Sequence, residues 1–583
     1  MSSHPAGSLR SFKFARAKQP AWAITTHTSF SWLSIMTKDP ASSILVRHFR
    51  QRLLWPLQLT SLDAMANKQH WQLLEQDKNK KWQRINNAFS VSAGEFSENI
   101  YKEFVVFLPY VQRFIYGESR GRHTHGLDDP PGDSALKIFR RHDVKKIRVV
   151  LRAGDAPILL TVDHIELCFF DDIDIVFLNI EVTADNLSLT TARDLLYRFG
   201  RAYPTGWNDA GQGVHNTLDC ELLAEDGTVL AQSDSGNREK FLAFACEHRA
   251  PCTSSHWNYL LQPLVLNASD NPGDIRYDQI EYHRMPLMAY LAVDEPLNIM
   301  RQEWLRLGLV ATLHPDEPLP LNDAQIIDFD NLYCYDRYWA GSEAGPNTRF
   351  LCSGRAFIVV GDAQESYFLN NERGIQAQFR HQYFIMFLIS HFHRAALLIF
   401  SDRLVDAIHD LDMRNPKSVR KFRQRIHANF EEFLRFTHRY WFDELSERPH
   451  MQALHHMCAK HLGNVALYAE VKDELHDMSQ YLDSDAQRRQ STTVVRLTVV
   501  TTFSLIGTVA TGFLGMNIIS EADAPVWLRW SYFALTVIGA SVLTFVTVMK
   551  SKQLYDFLDV LSEGRSFKNR VAMLWPARKN RRT

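Results

Sequence analysis

Short runs of β-branched and aromatic residues crowd one stretch of the chain: IRVVLRA from Ile147, PILLTV from Pro157, HIELCFF from His164 and DIVFLNIEV from Asp174, each bounded by Gly, Pro or Asp. Such runs predict strands. In the following LTTARDLLYRFG, Leu195, Leu196 and Phe199 fall on one face at helical spacing, so a helix is predicted there. Strands followed by helices predict an α/β domain over residues 135–375, with polar loops at 267–274, 314–322 and 340–348. Beyond about Gln376 glycine and proline become scarce and helices are predicted, interrupted at Asn415-Pro416 and Pro449. From His450 to Ala524 there is no proline, and Leu454, Cys458, Leu462 and Val465, then Tyr468, Val471, Leu475, Met478 and Leu482, recur three and four apart. This predicts one long amphipathic helix from His450 to Met516, on the order of 100 Å at 1.5 Å per residue.

Three stretches are apolar enough to ask whether they leave water altogether. Residues 494–516 and 526–549 are apolar or hydroxylated apart from Arg496 and Arg529, each within a turn of a segment end where it can snorkel. Trp527, Trp530 and Tyr532 stand where an interfacial aromatic belt would lie. Arg488, Arg489, Lys550, Lys552, Arg565, Lys568 and Arg570 flank the pair on its outer sides, whereas the connecting loop 517–525 carries Glu521 and Asp523 and no basic residue. That asymmetry predicts a hairpin with both chain ends cytoplasmic. The third stretch, YFIMFLISHFHRAALLIF over 383–400, holds His391, His393 and Arg394 at its middle, which would be costly in lipid, so it is read as a buried helix of the cytoplasmic part.

Composition narrows the class further. Lys plus Arg (65) and Asp plus Glu (66) balance to a net charge of -1, which removes any global reason to expect a nucleic-acid partner. Hydrophobic residues make up 45 % and charged residues 22 % of the 583 positions, the usage of a globular protein with at most a small membrane part. The seven cysteines are odd in number, scattered and without a C-x-x-C pair, so neither a disulfide framework nor a zinc ribbon is expected. Residues 1–64, basic at Arg10, Lys13, Arg16 and Lys18, are read as a disordered or mis-assigned extension, with a transit-type segment as the alternative. Residues 65–134 are read as an N-terminal segment ending in a Gly/Pro/Asp-rich linker, and 551–583 as a basic cytoplasmic tail.

Gly515, Met516 and Asn517 stand at the end of the first apolar segment, next to the short acidic loop and close to the C-terminus. In this setting the chain resembles the CorA family of divalent-cation transporters, whose signature is a GMN at the end of the first of two C-terminal transmembrane helices. The resemblance covers about residues 449–552, and more loosely what precedes them. It implies a homopentameric funnel: a cytoplasmic α/β domain, a helical bundle and stalk over 376–493, and a transmembrane hairpin over 494–550 whose first helix lines the pore. Val494 and Ser491 stand where the family carries Met and Asn. The fold expected is therefore an α+β membrane protein, multi-pass in the cell (inner or plasma) membrane, with the lipid bilayer and its own copies as partners.

The residues themselves suit that role. At 100° per residue Val494, Leu497, Thr498, Thr501, Leu505, Thr508 and Gly512 share one face, and Arg496 lies about 200° away from Val494. Around an axis this face would alternate hydroxyl rings with apolar collars able to gate by dewetting, and Asn517 would add a ring of neutral amides gripping the water shell of a hydrated ion. Glu521 and Asp523 would gather cations at the mouth. Close packing of small residues between helices is the competing explanation for Thr and Gly there. The function expected is divalent-cation transport, most naturally of Mg²⁺ as cargo or regulator, without enzymatic activity or resident cofactor. The alternatives are transport of Zn²⁺, Co²⁺ or Ni²⁺, and a membrane-tethered cytoplasmic sensor. His391 with His393, and His455 with His456, are too close along a helix to share a face, and are read as core or solvated histidines. Glu470, Asp473, Glu474 and Asp477 are read as a solvated helix face, although the resemblance implies regulatory cation sites on such a stalk. No P-loop, G-x-G-x-x-G, nucleophile elbow or H-E-x-x-H occurs.

Overall fold

A computed structural model of the chain describes residues 44–60, 69–77, 81–85, 98–117, 134–170, 173–281, 283–311, 323–341, 347–412, 415–515 and 525–549. The protein is a mixed α/β structure built on one large sheet, whose strands are β1 (Leu45–Leu59), β2 (Trp82–Arg84), β3 (Leu136–Arg141), β4 (Lys146–Val150), β5 (Ile158–Phe170), β6 (Ile175–Ser188), β7 (Asp219–Leu223), β8 (Val229–Gln232), β9 (Val265–Leu266), β10 (Arg276–Gln279), β11 (Leu287–Val293), β12 (Cys334–Tyr338), β13 (Thr348–Cys352) and β14 (Ala356–Asp362). The order is β12-β13-β14-β11-β1-β6-β5-β4-β7-β8, with β3 and β2 added on β5, and β10 and β9 on β1. Most neighbours are antiparallel, but β11 runs parallel to β14 and β9 to β10.

The strand at the centre comes from the segment expected to be a disordered or mis-assigned extension. β1 pairs with β6 from Leu45 opposite Ser188 to Gln58 opposite Ile175, and on its other side with β11 and then β10. Its side chains alternate: Phe49, Leu53, Trp55 and Leu57 enter one core, while Leu54 enters the other. The expectation for residues 1–64 is thus corrected over 45–59. Pro56 cannot donate to a ladder, and it stands where the second neighbour changes from β11 (Leu53 opposite Leu287) to β10 (Leu57 opposite Gln279). The segment before the Gly/Pro/Asp-rich linker is also part of the fold, because Phe114 of the helix Pro109–Tyr116 stacks on Phe170 and meets Phe392, Tyr440 and Phe442. The linker itself lies outside the described residues except at its ends.

The strands expected from Ile147 and Asp174 are present as β4 and β6, whereas the runs from Pro157 and His164 are one continuous strand, β5. The expected helix after β6 is α1 (Leu189–Arg198), capped by Ser188, whose side chain accepts from Thr191 N–H at 3.0 Å. Helices α1, Ser255–Leu261 and Arg301–Gly308 cover one face of the sheet. The other face carries a helical layer: α2 (Phe384–His409), α3 (Pro416–Arg439), α4 (Pro449–Leu462) and the start of α5 (Asn464–Gly515), with α6 (Val526–Met549) following.

Among the described residues, Ile375–His409 is the one helix long and apolar enough to cross a membrane, and most of it is buried inside the fold. This agrees with its reading as a core helix. A helix apolar all round needs protein on every side, and α2 has the sheet, α3, α4 and α5. The single helix expected from His450 to Met516 is instead broken at Gly463, which adopts the left-handed conformation at φ +71° and ends α4. Arg394 of α2 donates to the Leu462 carbonyl, and the Asn464 amide donates to the Ser390 carbonyl at 2.8 Å, which pins the break to α2. α5 alone is about 78 Å long at 1.5 Å per residue over its 52 residues.

Because β1 lies in the centre of the sheet, a chain truncated to start at Met65 is expected to be insoluble, whereas one starting at Met36 keeps β1 and folds; solubility and circular dichroism of the two truncations check this.

Candidate functional site

The second half of α5 differs from everything before it. Leu475 and Leu482 are the last side chains of the seam to be buried in the helical layer, and beyond them the buried positions among the described residues are Ala510 and, on α6, Ala540. Val494, Leu497, Thr498, Thr501, Leu505, Thr508 and Gly512 are all exposed in the single chain, with Leu497 at 63 %. Helix geometry keeps them on one side, as the spacing requires. Gly515 is the last residue of α5 and nothing lies within 4 Å of the position its Cβ would take, so the backbone there is open to a close neighbour. Met516, Asn517, Glu521 and Asp523 lie outside the described residues.

The hydroxyls on this track have a defined polarity. Thr498 donates to the Val494 carbonyl at 2.9 Å, Thr501 to the Thr498 carbonyl at 2.9 Å, and Thr508 to the Ser504 carbonyl at 2.9 Å. Each spends its only proton on the helix backbone, leaving the oxygen lone pairs free to accept. A track of acceptors separated by Leu497 and Leu505 suits a hydrated cation and offers nothing to an anion. α6 adds no matching polar face: Trp527, Trp530, Leu535, Ile538, Val542 and Phe545 are exposed. So large a contiguous apolar surface requires a lipid or protein environment.

The other candidates separate as expected. His391, His393 and His455 are buried in the helical layer, where desolvation pushes their pKa down to about 4, about 3 and about 4. His393 donates from Nε2 to the Tyr440 carbonyl at 2.6 Å, a core hydrogen bond that occupies a would-be ligand atom. His456 is exposed on the far side of α4 from its neighbour's core position. Glu470, Asp473, Glu474 and Asp477 are exposed along α5. The one group of metal-ligand type among the described residues, Glu247, His248 and Asp270, lies at the surface.

No family model, curated protein or solved structure matches the chain. The geometry therefore has to carry the functional reading.

The sequence reading missed a set of buried charges on the sheet face below α2. Arg52 of β1 lies opposite Glu181 of β6, which lies opposite His164 of β5; one row along, Arg140 of β3 lies opposite Glu166 of β5 and Glu166 opposite Asn179 of β6. Glu181 is fully buried and bonds both Arg50 and Arg52. Burial by itself would raise its carboxyl, but the two guanidiniums outweigh that and hold it at about 2. Glu166 accepts from Arg140 at 3.0 Å and from the Asn179 amide at 2.9 Å. The signal in RHFRQRLLWPLQL was faint: Arg50 and Arg52 are two apart and so share a strand face, but the residue between them is the polar Gln51.

The buried histidines make the helical layer acid-sensitive in a defined window. Their folded pKa values lie below the unfolded value of about 6.5, so their contribution is complete above pH 6.5 and is lost as pH falls toward 4, by about 1.4 kcal/mol per pH unit for each proton taken up on unfolding. Thermal unfolding of the purified protein is expected to follow this fall, and His391→Leu to flatten it by one proton.

Proposed function

We propose that the protein conducts divalent cations across a membrane as a CorA-like channel, with Mg²⁺ the ion it suits best. The observation that carries this reading is the α5 track. Acceptor hydroxyls at Thr498, Thr501 and Thr508 alternate with Leu497 and Leu505 along one exposed side, and the track ends at Gly515 beside Met516 and Asn517. An exposed line of this kind is incomplete in one chain. Five copies about an axis, the assembly the GMN resemblance implies, would close it into a pore and leave α6 facing lipid.

Mg²⁺ holds its first water shell tightly, so neutral amides and hydroxyl oxygens that accept from those waters let it pass, whereas a carboxylate cage would retain it. The membrane potential supplies about 2.3 kcal/mol per elementary charge per 100 mV, doubled for a divalent ion. Leu497 and Leu505 act as the constrictions whose wetting decides conduction. In this reading 494–516 and 526–549 are the two spans, both chain ends lie on the cytoplasmic side, and the sheet with its helical layers forms the cytoplasmic part.

Three measurements test it. In proteoliposomes, Asn517→Ala and Gly515→Ala are each expected to reduce Mg²⁺ flux by at least tenfold with the oligomer intact, while Leu497→Ser or Leu505→Ser raises leak. Wild-type flux from either GMN variant would remove the assignment, and no flux from the unmodified protein under any divalent gradient would favour a tether. For topology, Cys246 is the one exposed cysteine among the seven. After its replacement by Ser, an engineered thiol at Ser520 is expected to be labelled from outside and one at Asp410 to be protected.

A further inference from the structure

Between the sheet and the helical layer lies a cavity of about 670 Å³, within the range of small-molecule sites. Its floor is the charged patch of β1, β3 and β5, formed by Arg52, Arg140, His164 and Glu166. Its roof is the start of α2, Phe384, Ile385 and Leu388, and the turn just before it, Phe379–Tyr383, which is wound as a π-helix and carries Arg380 and His381 into the lining. π-turns of this kind are frequent at functional sites, because the widened turn re-aims side chains at the expense of regular hydrogen bonding. The side walls combine Ile100, Ile115, Leu136 and Ile138 with Lys137.

Basic side chains outnumber carboxylates in the lining itself, Arg52, Arg84, Lys137, Arg140 and Arg380 against Glu103 and Glu166. Arg84 pairs with Glu75 at 3.3 Å and Lys137 donates to the Ser134 carbonyl, so the excess centres on Arg52 and Arg380. Glu166 is taken by Arg140, and Glu103 faces His381 at 3.2 Å. Glu181 beneath the floor is shared among Arg50, Arg52 and, at 3.6 Å, Arg380. Arg52 is decisive. It is 4 % exposed, its guanidinium lies 4.1 Å over the Phe384 ring, one nitrogen is held by Glu181, and its Nε and Nη1 are buried with no hydrogen-bond partner among the described residues. A buried guanidinium with idle donors is costly unless an acceptor arrives from outside.

We propose that this cavity binds an amphiphilic phosphate ester, with the phosphate held by Arg52 and Arg380 and a compact apolar or aromatic body seated against the isoleucines and Phe384. A carboxylate brings one charge, whereas a phosphate monoester brings up to two and presents oxygens that match the planar donor fork of arginine. Nucleotides and alkyl phosphates share this chemistry, and the cavity walls offer apolar contact to either. The site is independent of the transport reading, since it lies wholly in the sheet and helical layer. Its roof is α2, which packs directly on α5, so occupancy bears on the helix that leads to Gly515.

Isothermal titration of the full-length detergent-solubilised protein with AMP, dodecyl phosphate and inorganic phosphate tests the proposal. AMP or dodecyl phosphate is expected to bind with one site per chain, at least tenfold more tightly than inorganic phosphate, and whichever binds identifies the source. Arg52→Met and Arg380→Gln are each expected to weaken that binding at least tenfold, while Arg148→Gln, whose guanidinium pairs with Glu221 away from the cavity, leaves it unchanged. Arg380 is half-buried in the roof, so its variant remains informative if Arg52→Met fails to fold. Absence of binding by both esters, equal binding of inorganic phosphate, or full binding by Arg380→Gln would overturn it.

Discussion

The rest of the structure depends on the insertion of β1 between β6 and β11. Those neighbours lie over a hundred residues further along the chain, so the central pairing closes long loops and yields nothing until both partners are in place. Once β1 is seated it divides the protein. Phe49, Leu53, Trp55 and Leu57 face one core, and Arg50, Arg52 and Leu54 face the helical layer. A slip of one residue in that register would exchange the two sets, moving two arginines away from Glu181 and into the core that holds Phe49, Leu53 and Trp55. Glu181 guards against this, because only the observed register puts it opposite Arg52.

The same apolar composition meets two fates in the helices. α2 is hydrophobic around its circumference and is satisfied by protein on all sides, with His391 and His393 kept neutral in the interior. α6 is as apolar, yet Leu535 is 69 % exposed and the aromatic side chains Trp527 and Trp530 stand clear of the fold. What differs is the neighbour rather than the residue type. α5 joins these two regimes, with a seam of Val471, Leu475 and Leu482 against the helical layer and a hydroxyl-bearing track beyond.

The charged floor beneath α2 belongs to neither regime. Burying Arg52, Lys137, Glu166 and Glu181 in one patch costs desolvation that hydrophobic residues of similar volume would avoid. The cost is retained at the place where a π-turn, a cavity and the longest strands coincide, next to the helix that packs on α5.

Much of this was legible in local pattern. The β-branched and aromatic runs marked β4, β6 and, as two pieces, β5, the period of 3.6 marked α1, and two histidines and an arginine in the middle of residues 383–400 marked α2 as a core helix, since lipid would not accept them. The candidate pore face followed from the 100° step together with the Gly515-Met516-Asn517 string at its end. β1 was not legible, because its polar alternation and Pro56 argue against a central strand until β6, β10 and β11 are present to supply the partners. Gly463 carried a stop signal in Leu462-Gly463-Asn464, but whether a glycine breaks a helix depends on whether Arg394 and Ser390 are there to hold the ends. The charge rows lay unnoticed because Arg52, Glu181 and His164 are more than a hundred residues apart in part, and become neighbours only through strand register. Periodicity determines which face a residue takes; what that face meets is decided by pairing across the sheet, which no local window contains.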